Sequence, residues 1–131
     1  MNNCGFASIL STKQKIQYKN YRKDNETMKE LYAARIARVL ENLQAQGLEQ
    51  MIVSDPTTIF YLTGVRIQPG ERMLALLLRA DGNHRFFVNA LFGTPEAGIP
   101  VENYSDGEDA PAKLLPWLER DKPLGIDKNW P

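Results

Sequence analysis

The clearest pattern along the chain is helical. Tyr32, Ile36, Val39, Leu40 and Leu43 recur at three- and four-residue intervals, with Arg35, Arg38, Glu41 and Asn42 between them, so the apolar set occupies one helix face. Thr27-Met28-Lys29-Glu30 reads as a capping box at the start of that helix: Thr27 accepts from the amide of Glu30, and Glu30 reaches back to the amide of Thr27. Gly47 stands where a left-handed C-terminal residue is wanted, and the spacing predicts a helix over 28–46. The period then changes. Gln50-Met51-Ile52-Val53-Ser54 is a short apolar run ended by Asp55-Pro56, a strand leading into an N-cap with Pro at the first helical position. One or two helical turns over Thr57 to Leu62 then stop at Gly64.

After a polar loop from Arg66 to Glu71, Met73-Leu74-Ala75-Leu76-Leu77-Leu78 is apolar at every position. That is the pattern of a central strand covered on both faces. Asp81-Gly82 signals a tight turn, and His84 to Val88 returns as the second arm of a hairpin. Val101 to Tyr104 is a weaker strand. Asp106, Glu108 and Asp109 offer capping carboxylates for a helix through Arg120, bent at Pro116, and Leu124 to Asp127 is a last strand. The order helix, strand, helix, hairpin, strand, helix, strand predicts an α/β fold, a mixed sheet with helices on both faces.

Composition acts mainly by exclusion. The 131 residues are 43% apolar and 24% charged, as in one ordinary globular domain. The 16 Lys and Arg balance 16 Asp and Glu, which removes the electrostatic footprint of a nucleic-acid or anionic-membrane binder. The balance hides an asymmetry, +4 over residues 1–24 and −4 over the rest. Residues 1–26 show no sustained period beyond the short patch Phe6 to Leu10 and read as a poorly ordered tail or leader, with Met28 as the natural initiator and the domain over 27–131. No apolar run approaches the roughly 20 residues of a membrane span, and the basic residues from Lys13 to Lys23 follow the mildly apolar start, the reverse of a secretory signal. A cytoplasmic protein is expected, with neither nucleic acid nor membrane as partner.

Catalytic signatures are absent. There is no G-x-G-x-x-G, P-loop, H-E-x-x-H, G-x-S-x-G or paired-Cys motif. The single histidine, His84, cannot supply the usual zinc ligand sets and reads as a hydrogen-bonded strand residue. The acids from Asp106 to Asp109 read as caps before they read as a cation site. Trp117 reads as a core or interface anchor, and Trp130 as packing against something beyond the sequence.

Identity rests on Arg35-Ile36, then Gly47-Leu48-Glu49-Gln50-Met51-Ile52-Val53-Ser54-Asp55-Pro56, then Ile59-Phe60-Tyr61-Leu62-Thr63-Gly64, Pro69-Gly70-Glu71-Arg72 and the strand from Met73 to Leu78. At these intervals the segments strongly resemble the creatinase/prolidase N-terminal domain of the Xaa-Pro dipeptidases (prolidases) and aminopeptidases P. The resemblance implies a ribonuclease H-like three-layer α/β/α fold with a mixed sheet of about five to six strands. It also implies a separate C-terminal domain holding two Mn²⁺ through two Asp, one His and two Glu, none of which has a counterpart here. On that reading the fragment binds no metal or cofactor, is inactive alone, and ends at Asn129-Trp130-Pro131 by a cut. Its implied task is to form a homodimer and to narrow the active-site entrance to short Xaa-Pro peptides. The residues expected near substrate are Arg66, Gln68, Glu71 and Arg72, with Glu71 and Arg72 alternatively forming a local ion pair. Asp55, Pro56, Tyr61 and Gly64 are expected to be structural. Gln68 stands where dipeptidase relatives often carry an acid, and Gly70 where a larger polar residue is common. Two other classes remain open: an interaction module of the kind found in histone chaperones, and a nucleotide-binding domain, the latter disfavoured because Ser54-Asp55-Pro56 would set a carboxylate against a phosphate.

Overall fold

A computed structural model describes the backbone of residues 12–127 and the side chains from Thr27 to Asp127. Readings that rest on Cys4, on the Phe6 to Leu10 patch or on Trp130 lie outside the described residues. The chain divides into two units, one ending at Leu31 and one beginning at Tyr32. The first described element is helix α1, Thr12–Ala45. It corrects the predicted start at Thr27: Thr27 and Glu30 lie inside a continuous helix and not at its cap. Residues 12–46 contain no Gly or Pro, and the segment from Thr12 to Glu26 is rich in Lys and Gln, so nothing there ends a helix. Gly47 takes the left-handed conformation past the C-terminus with φ 76°.

Downstream follow β1 (Gln50–Val53), α2 (Pro56–Thr63), β2 (Ala75–Arg79), β3 (Arg85–Asn89), β4 (Val101–Tyr104), α3 (Ala110–Leu114) and β5 (Leu124–Ile126). The sheet order is β4-β3-β2-β1-β5, mixed and five-stranded. β2 is antiparallel to both β1 and β3, whereas β4 joins β3 and β5 joins β1 in parallel. The all-apolar run is accordingly the middle strand. Leu76 and Leu78 join Val53, Phe86 and Val88 under Ile36 of α1 and Ile59 and Leu62 of α2. Ala75 and Leu77 join Ile52 and Phe87 on the other face, under Leu114 and Trp117. Each fully buried Leu contributes about 1.5–3 kcal/mol, which makes this strand the spine of a three-layer α/β/α domain.

Two further elements differ from expectation. The last helix is short: α3 gives way to a 3-10 turn over Leu115–Trp117, because Pro116 has no N–H to continue the α-helical ladder. An unforeseen 3-10 turn over Ala90–Phe92 begins the β3–β4 crossover, capped by Asn89, whose Oδ1 accepts from the amide of Leu91. Among the described residues no helix is long and apolar enough to cross a membrane.

Candidate functional site

The two ends of the sheet differ in chemistry. At the amino end of β1, Gln50, Arg79 and His84 fasten the chain, with Arg79 Nε buried and unpartnered. Gln50 Nε2 donates to the carbonyls of Glu119 and Lys122 at 2.8 and 3.0 Å, and its Oε1 accepts from the amide of Glu119 at 2.9 Å. Arg79 donates to the carbonyl of Trp117 and pairs with Asp81 and Glu119. His84 sits in the hairpin turn, where its Nδ1 accepts from the amide of Arg79 at 3.1 Å. Burial holds the imidazole below its ordinary pKa, with Asp81 opposing weakly. This end is structural.

At the opposite end β1, β3 and β4 finish and β2 begins, and a cleft of about 1260 Å³ opens. One wall is the loop 68–74, the other the turn from Tyr104 into α3, and Ser54, Pro56 and Thr57 form the floor beside α2. The floor is held by local cap chemistry. Asp55 accepts from the amide and hydroxyl of Thr58 at 3.0 and 2.7 Å, Pro56 occupies the first turn, and Gly64 closes the helix at φ 76°. Asp127, just past β5, accepts from the amides of Ser54 and Asp55 at 2.9 and 2.8 Å and from the Ser54 hydroxyl at 2.9 Å. A Ser–Asp pair is thus present, but the chain's single histidine lies at the far end of the sheet, so no hydroxyl–imidazole–carboxylate relay forms.

The walls are joined across the cleft. Arg72 Nε and Nη2 donate to the two oxygens of Asp106 at 2.9 and 3.0 Å, and Asn89 Nδ2 donates to Asp106 Oδ1 at 2.7 Å. Tyr104 Oη donates to the carbonyl of Met73 at 2.6 Å. Arg72, and then Asn89, hold the Asp106 carboxyl below the usual carboxylate range, Asp106 raises the Arg72 guanidinium, and burial raises the Tyr104 phenol. The expected local pair of Glu71 with Arg72 is therefore replaced by a pair 34 residues apart in sequence. Consecutive side chains diverge, and a guanidinium fork is met best by a carboxylate facing it. The turn acids divide their roles. Asp109 caps α3 through the amide of Ala112, Glu108 accepts from the amide of Ser105 and pairs with Lys113, and Asp106 does no capping.

Of the expected substrate-facing residues, Gln68, Glu71 and Arg72 line the cleft together. Gln68 and Glu71 are exposed and without a protein partner among the described residues. Arg66 is placed elsewhere, over the ring of Phe60 at 4.2 Å. Tyr61, on the exposed side of α2, carries Arg35 at 4.0 Å from its ring centre. The sequence reading missed Asn89, Tyr104 and Asp127 as residues that build the site. The Asn89-Ala90-Leu91 cap was a readable signal for the first, whereas the other two depend on distant partners. Among the described residues no three His, Cys, Asp or Glu gather to hold a metal ion. The free side chains of Gln68 and Glu71 can bind and orient a polar ligand, and among the described residues lining the cleft no hydroxyl or carboxylate is paired with an imidazole.

Residues 35–131 match the Creatinase/Prolidase N-terminal domain family. Among curated proteins, an uncharacterized peptidase of Staphylococcus aureus strain USA300 is 30% identical over 87 residues, covering 63% of this chain and 24% of that protein. One from Staphylococcus haemolyticus is 26% identical over 94 residues, covering 72% and 24%. Among solved structures, a proline dipeptidase from Streptococcus pneumoniae is 31% identical with a TM-score of 0.66, covering 73% of this chain and 76% of that chain. A dipeptidase from Pyrococcus horikoshii is 28% identical with a TM-score of 0.66, covering 74% and 29%. The chain thus spans about a quarter of the length of the curated relatives it matches.

Proposed function

The chain belongs to the creatinase/prolidase N-terminal domain family, and from that premise we propose that it is the non-catalytic, substrate-positioning domain of a dimetal Xaa-Pro peptidase, a dipeptidase in the first instance. The observation that carries this reading is the cleft at the edge where β2 begins, whose walls are fixed by distant hydrogen bonds while two polar side chains on its loop stay free. That edge presents free polar side chains, Gln68 and Glu71, on a loop held by rigid elements. Such a surface excludes water and orients a short peptide, while bond cleavage belongs to the part of the protein that supplies the two metal ions. In this reading the domain acts in a homodimer, its loop overhanging the partner's active site.

The test is kinetic. In the full-length protein, Gln68→Ala and Glu71→Ala should raise the Michaelis constant for Xaa-Pro dipeptides and leave kcat within about twofold, since they remove binding and not metal chemistry. Both side chains are exposed, so the melting temperature should barely move, the stability change staying within about 0.5 kcal/mol. Unchanged kinetics in both variants, with the fold intact, would discard the proposal. The 131-residue chain alone should release no proline from such dipeptides when supplied with Mn²⁺.

A further inference from the structure

The geometry points to Asp106 and Asn89 as positioning residues that act through Arg72 to hold the cleft-lining loop in one conformation. The inference rests on the reading of that loop as substrate-facing. Its basis is a chain of directed contacts in which each member is fixed by the next. Asn89 is 2% exposed, and both ends of its amide are engaged: Oδ1 accepts from the amide of Leu91, and Nδ2 donates to Asp106 Oδ1. The Asp106 carboxylate is thereby aimed across the cleft, where both its oxygens take the Nε–Nη2 edge of Arg72. Arg72 is in turn tied into its own loop, its amide donating to the carbonyl of Pro69 at 3.1 Å. The next residue, Met73, is pinned by Tyr104 Oη. Side chains from the ends of β3 and β4 therefore fix two consecutive loop residues, immediately after Glu71.

Energetics separate this role from a stabilising one. The Arg72 and Asp106 side chains are 39% and 63% exposed, and a pair so open to water contributes little to folding. What the two-point geometry supplies is orientation, because a guanidinium fork on a carboxylate allows a single relative placement. Arg72 is the one cation among the cleft-lining residues described, and the edge it would present for two-point binding is already occupied by Asp106. It therefore serves the loop, leaving Gln68 and Glu71 to face the peptide.

Two measurements test this. In the 131-residue chain, Asp106→Asn, and separately Arg72→Lys, should speed hydrogen exchange of the Arg72 amide, which donates to the Pro69 carbonyl, by about threefold or more while the melting temperature stays within about two degrees. The exchanged pair Arg72→Asp with Asp106→Arg should recover part of the protection. In the full-length protein, Asp106→Asn should raise the Michaelis constant for Xaa-Pro dipeptides about threefold or more, with kcat within about twofold. Exchange unaffected by either single variant overturns the inference. Faster exchange with an unchanged Michaelis constant in Asp106→Asn, where Gln68→Ala or Glu71→Ala does raise it, overturns the positioning role and leaves the substrate-facing loop standing. An unchanged constant in all three refutes the substrate-facing loop itself, and the positioning role with it.

Discussion

Replacing Gln50 by Leu should cost this domain more than any exposed charge does, and the amount follows from where its amide bonds go. The side chain is 2% exposed and makes all three of its hydrogen bonds to the backbone of Glu119 and Lys122. Those residues lead directly into β5, which pairs in parallel with β1 through Gln50, Met51 and Ile52. Leu keeps most of the volume, so the loss comes chiefly from the polar groups left behind. Glu119 is half-buried: its N–H loses its partner at about 1–3 kcal/mol, its C=O keeps the bond it accepts from the Lys122 amide, and the carbonyl of exposed Lys122 rehydrates at little cost. The expected change is about 1–3 kcal/mol, or a fall of roughly 5–15 °C in melting temperature for a domain of this size. Urea unfolding with an unchanged m-value is the assay of choice, because it distinguishes lost stability from altered compactness. Gln50→Glu adds an internal control. At neutral pH its carboxylate would face two carbonyls, and acidification should recover part of the loss as the protonated acid regains a donor. A midpoint shift equivalent to less than about 0.5 kcal/mol for Gln50→Leu would refute the argument.

Gly64→Ala should be costly for two separable reasons. The residue sits at φ 76°, and a Cβ there would lie 2.6 Å from the Tyr32 ring. Of an expected loss of about 2–4 kcal/mol, the backbone share of roughly 1–2 should persist in a Tyr32→Ala background and the remainder should vanish, as a double-mutant cycle can measure. An equal loss in both backgrounds would remove the steric argument. His84 should give a pH dependence. Its folded pKa is lowered from 6.5, so the folded state binds fewer protons than the unfolded state between the two values, and stability present above about pH 6.5 should decline as the pH falls toward the folded pKa. Protonating Nδ1 also breaks its bond from the Arg79 amide. His84→Asn should abolish this slope, and a proton NMR titration giving His84 a pKa at or above 6.5 would contradict the reading.

What the sequence determined by itself was local. Apolar periods and cap chemistry located every strand and bounded α2 between Asp55 and Gly64, because those signals act within a few residues of the positions they shape. The same locality misled at Thr27: a capping box acts as a cap only where the chain turns, and in an uninterrupted run of helix formers it is simply part of the helix. The all-apolar run of β2 announced burial on both faces and the Asp81-Gly82 turn named β3 as one neighbour, but β1 as the other, and the parallel seating of β5 against β1, were settled by which strands could share that interior. The cleft is more remote still. Arg72 meets Asp106 across 34 residues, and Ser54 meets Asp127 across 73. No period or propensity couples positions so far apart. Only the sheet, by ending β1, β3, β4 and β5 at one edge where β2 begins, brings those side chains within hydrogen-bond reach and leaves Gln68 and Glu71 unpaired beside them.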